Sequence, residues 1–497
     1  MHIQFFGAAG EVTGSRHCIS GEIQGKPFSF LIDYGMFQGG RDADDKNLAD
    51  LPINPAQLDF VILTHAHIDH SGLLPRLYAQ GFKGAIYCTH ATKALLKILL
   101  LDSAHIQEND FERAERKQKL GKWRGELPSV LYSVKQATEC LNLLKAYDYG
   151  QVFEPLPGIQ AHFRNAGHIL GSAIAVIDIQ EDSDTSESKR IVSSGDIGMF
   201  DRPLMPDPDL IESADVLLIE STYGDRLHRT LQATEDELVE VINETMKHGG
   251  NIVMPAFAVG RTQEILLILL NLVRSGRLPH LNVWVDSPMA TAATHLTEKF
   301  IDDLDEQAQD TLSWFKKHPH AIELKFVADV EESKALNRIK GGAIIISASG
   351  MCEAGRIVHH LRWNLPHSQN AIIITGFQAM GTLGRRIVDK APVVKVMGKE
   401  VAVKASVHTI GGLSAHADQA GLLRWLKGFK KTPTKVFVVH GESHASGNFA
   451  EVIRQELGWQ HVAIPQRGDL FPCWYLRSHG VSTSIATGPS PLEIMTS

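Results

Sequence analysis

The chain opens as short apolar runs separated by turn signals. His2–Phe6, Phe28–Asp33, Phe60–Leu63, Ala85–Cys88, Ile159–Phe163, Ala173–Ile179, Arg190–Ser193 and Val216–Ile219 each read as a strand. One long stretch, from about Ala91 to Lys119, breaks that rhythm. Leu95, Leu96, Leu99 and Leu100 recur there at helical spacing among charged residues, which predicts a single helix. Gln180–Lys189 is polar and acidic and reads as a solvated hairpin tip. From about Asp225 the pattern changes. Asn251–Met254, Asn282–Val285, Ala343–Ile346 and Ala371–Thr375 are apolar runs, each followed by a turn and a helical stretch. Such alternation predicts a mainly parallel α/β sheet. From about Lys404 the style of the first half returns. The expected organisation is an α/β domain at 225–403 inserted into a domain built from 1–224 and 404–497. The tail from Ser482 is small and polar and is expected to be loose.

Composition narrows the class. At 497 residues, 43% hydrophobic and 21% charged, the chain has ordinary globular composition and material for two or three domains. No apolar run approaches the ~20 residues that span a bilayer, so no membrane partner is expected. Met1–Phe6 starts as a strand, without a basic segment or small-residue cleavage site, and a cytoplasmic protein is expected. Cys18, Cys88, Cys140, Cys352 and Cys473 lie far apart with no CxxC pair, which argues against a disulfide framework and a cysteine zinc site. The net charge of −8 means that a polyanion would have to meet a local basic groove, with metal ions supplying much of the positive charge.

Candidate chemistry concentrates in Thr64-His65-Ala66-His67-Ile68-Asp69-His70, directly after a predicted strand. His65 and His67, two apart, can point the same way from an extended backbone. One metal cannot readily use all four ligand groups of so short a loop, but two neighbouring metals can. His168, Asp196, Glu220 and His440 likewise follow predicted strands, and ligand sites gather beyond the carboxyl ends of strands. The expected centre has His65, His67 and His168 on one metal, Asp69, His70 and His440 on the other, and Asp196 bridging. Nitrogen and carboxylate ligands without sulfur suit two Zn2+, with Mn2+ or Fe as alternatives.

The motif His65-x-His67-x-Asp69-His70, with His168, Asp196 and His440, resembles the metallo-β-lactamase superfamily. Over nearly its whole length the chain is similar to the β-CASP branch of RNA-processing nucleases. The resemblance implies an αββα metallo-β-lactamase sandwich with an inserted α/β β-CASP cap domain. Asp33 matches the buried acid that supports the metal loop. Glu220-Ser221-Thr222-Tyr223-Gly224, His416 and His440 match the three motifs that set the branch apart, and histidine at the third position is its RNA-processing form, where DNA-repair members typically carry valine.

The function so implied is a two-zinc phosphodiesterase cleaving single-stranded RNA, expected to be endonucleolytic. A metal-bridging hydroxide would attack phosphorus, with Asp69, Glu220 and His416 as catalytic residues and His416 as general acid. The alternatives are a 5′-exoribonuclease, a thioesterase- or lactonase-type hydrolase, a DNA nuclease, and a non-catalytic RNA-binding scaffold. A small-molecule hydrolase has no use for His416 or for a cap of that size. Glycine-rich turns opening the cap helices could present backbone N–H groups to phosphate. Arg261, Ser349, Arg356, Gln378 and Arg385 are the candidate RNA-binding residues, together with Arg386, and His359, His360 and Arg362 are weaker ones. Homodimerisation is left open.

Overall fold

The computed structural model describes residues 1–122, 125–180, 188–376, 378 and 381–474. Most of the expected hairpin tip (181–187), Phe377, Ala379 and the tail from Ser482 lie outside the described residues.

Among the described residues two seven-stranded sheets pack face to face. The first runs in the order Leu470–Pro472, His2–Gly7, Arg16–Ile23, Lys26–Ile32, Phe60–Ile62, Ala85–Thr89, Leu144–Tyr147. The second runs Val462–Ala463, Lys435–Val439, Val216–Glu220, Lys189–Ser193, Ala173–Ile179, Ile159–Asn165, Phe153–Leu156. Alternation along each strand sorts the core into layers. Phe60 and Ile62 meet Val216, Leu218 and Phe437 between the sheets. Val61 faces the other way, onto the leucines of helix His90–Lys119, and Leu217 and Ile219 face helices Gln419–Leu426 and Ser443–Leu457. The result is the helix–sheet–sheet–helix sandwich expected from the resemblance.

The chain leaves the sandwich sheet after Val216–Glu220, comes back to the sandwich with helix Gln419–Leu426, and rejoins the sheet as Lys435–Val439, which pairs with Val216–Glu220 in parallel with Glu220 opposite Val439. The inserted cap therefore grows from the carboxyl end of Val216–Glu220, on the edge where Glu220 stands. Its own sheet has six parallel strands in the order Ile322–Phe326, Leu281–Val285, Ala343–Ser347, Ile252–Pro255, Ala371–Ile374, Ser406–Thr409. The boundary expected at 403 needs correction, because Ser406–Thr409 completes the cap sheet against Ala371–Ile374 and the crossing comes after Thr409. Cap and sandwich share a buried apolar seam in which Val259, Leu267 and Ala293 join Leu95, Ile169 and Leu170.

Candidate metal centre

The parallel strands Phe60–Ile62, Lys189–Ser193, Val216–Glu220 and Lys435–Val439 all end at one edge of the sandwich, and each is followed within a few residues by a titratable side chain. Backbone hydrogen bonds close this edge: Ala173 N–H donates to Thr64 O (2.9 Å) and His440 N–H to Ala8 O (2.7 Å). Gly35 is required here, since a Cβ would sit 1.6 Å from the Asp69 carbonyl oxygen. Ala8, Asp33 and His440 adopt positive φ (49°, 60° and 50°), a conformation unfavourable for residues other than glycine and held by the surrounding hydrogen bonds.

Two sets of donor atoms converge. In the first, His65 Nε2 and His67 Nδ1 face each other at 3.1 Å, and His168 Nε2 lies 3.2 Å from the same Nδ1. Asp196 Oδ2 completes the set at 3.4 Å from His65 Nε2 and 3.5 Å from His168 Nε2. In the second, His70 Nε2 and His440 Nε2 face each other at 3.1 Å, with Asp69 Oδ2 3.6 Å from His440 Nε2 and Asp196 Oδ1 3.3 Å from His70 Nε2. Four ligands placed tetrahedrally at ~2.0–2.1 Å from zinc would be ~3.3 Å apart, so both sets have the spacing of a metal cage. Asp196 Oδ1 is buried without a hydrogen bond, as suits a carboxylate oxygen that takes a cation.

The surroundings fix which nitrogen points inward. Asp33 Oδ2 holds His70 Nδ1 at 2.7 Å, and Thr222 Oγ1 lies 3.1 Å from His440 Nδ1 while donating to its carbonyl. Both rings are thereby turned to offer Nε2. Burial pushes the His65 and His168 pKa values down and that of His67 to about 3, leaving the neutral imidazoles a metal requires. Burial opposes ionisation of Asp196, but the histidines around it, His440 foremost, hold it well below the usual carboxylate range.

His416 approaches from the segment between cap and sandwich, bridged to Gly198. Its Nδ1 lies 3.1 and 3.2 Å from the two Glu220 oxygens, and its Nε2 is 3.9 Å from Asp196 Oδ2. Asp196, Glu220 and His416 are thus a third converging donor set. Glu220, however, is fully buried and already accepts from Ile197 N–H (2.7 Å) and Thr222 N–H (3.3 Å). Burial opposes the His416 charge, but Glu220 and Asp196 outweigh it and raise its pKa to about 9.

The structure thus brings together all seven expected ligands, with Glu220 and His416. The expected RNA-binding residues fare differently. Arg356 Nη1 is tied to Asp286 (2.6 Å) and donates to the Val327 carbonyl, so it serves the cap interior, as does His360, whose Nε2 meets Asp286 at 2.6 Å. Arg261 pairs with Glu264 (2.5 Å) and Arg385 with Asp389 (3.0 Å). The Gln378 amide donates to the Gly350 and Gly376 carbonyls, and Ser349 Oγ faces the Ala354 carbonyl at 3.5 Å. Thr222, part of a recognised motif but given no role from sequence, is the residue missed. Its signal was its place two residues after Glu220.

The metallo-beta-lactamase superfamily matches residues 19–134, the Beta-Casp domain residues 262–387, and the Zn-dependent metallo-hydrolase RNA specificity domain residues 400–465. The chain is 37% identical over 472 residues to Ribonuclease TTHA0252 of Thermus thermophilus, a match covering 95% of this chain and 100% of that protein. It is 32% identical over 463 residues to the RNase J-like protein of Methanocaldococcus jannaschii, covering 91% and 96%. Identity to the Transcription termination factor FttA of the same organism is 31% over 465 residues, covering 92% of this chain and 69% of the other.

Proposed function

This chain belongs to the metallo-β-lactamase superfamily, in its β-CASP branch of RNA-processing nucleases, and on that premise we propose that it is a two-zinc endoribonuclease acting on single-stranded RNA. His65, His67 and His168 would hold one cation, Asp69, His70 and His440 the other, and the two oxygens of Asp196 would serve both. When bound, the cations lower the pKa of water toward neutrality and neutralise charge gathering on the phosphate.

The chain's own residues do the rest. Asp33 and Thr222 keep His70 and His440 in the ligating orientation. Glu220 holds the Nδ1 proton of His416 and stabilises the imidazolium, so Nε2 is charged with a proton at neutral pH. As the phosphorus–O3′ bond breaks, that proton goes to the departing oxygen, leaving a 3′-hydroxyl and a 5′-phosphate. What carries this reading is the position of His416: it stands outside both histidine cages, its Nε2 facing Asp196 and its other nitrogen held by a buried acid.

The test is zinc-loaded protein incubated with 5′-labelled single-stranded RNA, matching DNA and a thioester. Internal RNA cuts are expected. His416→Ala should retain its metal by elemental analysis and lose turnover by about 10²–10⁴-fold. Full activity in that variant would remove His416 as the acid. Mononucleotide release from the 5′ end alone would overturn the endonucleolytic mode.

A further inference from the structure

Away from the metal centre, a cavity of about 290 Å³ is lined by Phe6, Arg16, Asp50, Leu51, Pro52 and Arg467, among others. Arg16 is 3% exposed, a rare setting for a charged side chain. Its guanidinium lies 4.9 Å from the Tyr34 ring centre and 4.5 Å from that of Phe37, and its Nε donates to the Gly35 carbonyl at 2.9 Å. The remaining polar contact, Nη2 to Asn47 Oδ1, is stretched to 3.5 Å. Arg467 is exposed and lies over the same Phe37 ring, 5.3 Å from its centre.

The neighbouring acids are engaged elsewhere. Glu11 pairs with Lys46 at 2.8 Å, and Asp50 with Arg76 at 3.4 Å and the Gln80 amide at 2.8 Å. Among the described residues no carboxylate forms an ion pair with Arg16 or Arg467, so two guanidiniums face one concave cavity with Glu11 and the lining Asp50 as the acids nearby, both held by other cations. A buried guanidinium without a counter-ion is strongly unfavourable, and two guanidinium forks converging from a strand (Arg16) and a distant turn (Arg467) suit the several oxygens of one phosphate.

We propose that this cavity binds a phosphate group between Arg16 and Arg467. Phe37, under both guanidiniums, also packs beneath Gly7 and Gly14, and Ala8, in the turn between them, accepts the His440 N–H. The cavity and the metal centre thus lie against one turn. RNA backbone running out of the centre is the phosphate source favoured here. That choice of source rests on the ribonuclease reading, whereas the anion site does not.

The test uses the full-length zinc-loaded protein, Arg467→Ala at the exposed arm, and Arg16→Lys, which keeps the charge but removes the fork. Thermal unfolding is followed with and without inorganic phosphate, and RNA cleavage across a salt series. Phosphate acting on the metals would stabilise all three proteins alike, so the difference between them reports the cavity. The expected result is a smaller phosphate-induced rise in Tm in both variants. In addition, Arg467→Ala should show a roughly three- to tenfold higher KM and a salt slope shallower by about 0.7. Loss of the phosphate response with unchanged KM supports the anion site and assigns it a small free phosphate instead of RNA. An undiminished phosphate response with unchanged KM overturns the proposal. Absence of RNA cleavage by the wild type would count against the ribonuclease reading and leave the thermal comparison standing.

Discussion

Asp196 and Asp286 look alike along the chain and behave differently in the fold. Each follows an apolar strand, Lys189–Ser193 or Leu281–Val285, and each is buried, at 2% and 0% exposure. Asp286 in the cap is saturated: Ser333 Oγ, His360 Nε2 and Arg356 Nη1 all reach it at 2.6 Å. Asp196 in the sandwich is ringed by five histidines at 3.3–3.9 Å, and its Oδ1 has no hydrogen bond. The difference teaches where chemistry resides. A closed network holds a domain together, whereas an open one of facing lone pairs is the donor set of a divalent metal site.

Two substitutions should separate these roles most sharply. Asp196→Ala should lose metal from both cages and lower turnover by about four orders of magnitude, measured by elemental analysis beside RNA cleavage. Asp286→Ala should keep its metal but lose about 3 kcal/mol in denaturant unfolding of the cap, since Arg356 and His360 are left without their anion. Metal loss in the second variant, or a stable cap, would erase the contrast. Its pH dependence has a defined sign. Burial opposes the Asp286 charge, but His360, Ser333 and Arg356 hold its carboxyl below the usual range. That contribution is present above the unfolded value of about 3.9 and disappears as pH falls through the lower folded value, so the gap between wild type and variant should close in acid.

A smaller effect sharpens the open side of the comparison. Thr222→Val removes the hydroxyl that orients His440 while leaving every ligand in place. Metal affinity should fall by about 10–100-fold, read by competition with a chelator, and activity should return at high zinc. Failure of added zinc to restore activity would mean that Thr222 acts on more than ligand orientation.

The candidate site of the sandwich was legible because its candidate ligands follow apolar strands and the carboxyl ends of strands in a sheet converge on one edge. His65, Asp196 and His440 needed no knowledge of their neighbours to be singled out. The cap residues did. An arginine at a helix start reads the same whether it awaits a phosphate or, like Arg356, pairs with an aspartate seventy residues earlier in the chain, a contact only the packed sheet creates. The boundary at 403 erred for a related reason. Ser406–Thr409 is an edge strand with no fully buried residue, so it lacks the apolar run that marked its partners.

The finest test concerns a proton, and it bears on why the open network includes Glu220 at all. That carboxylate is a member of neither histidine cage and converges instead with Asp196 and His416. Its partners are two backbone N–H groups and His416. If its role is to keep His416 protonated, activity should hold below the raised value of about 9 and fall as pH rises through it, because only the imidazolium can donate. Glu220→Gln keeps the shape and removes the charge, leaving Asp196 as the nearer remaining anion. The alkaline limb should then move down by about one unit or more, toward the ordinary histidine value of about 6.5. At pH 7 the loss would be severalfold, and it should be recovered at pH 6, which distinguishes an electrostatic role from a purely architectural one. An unmoved limb with lower activity at every pH would mean that Glu220 only positions the ring and that another group titrates.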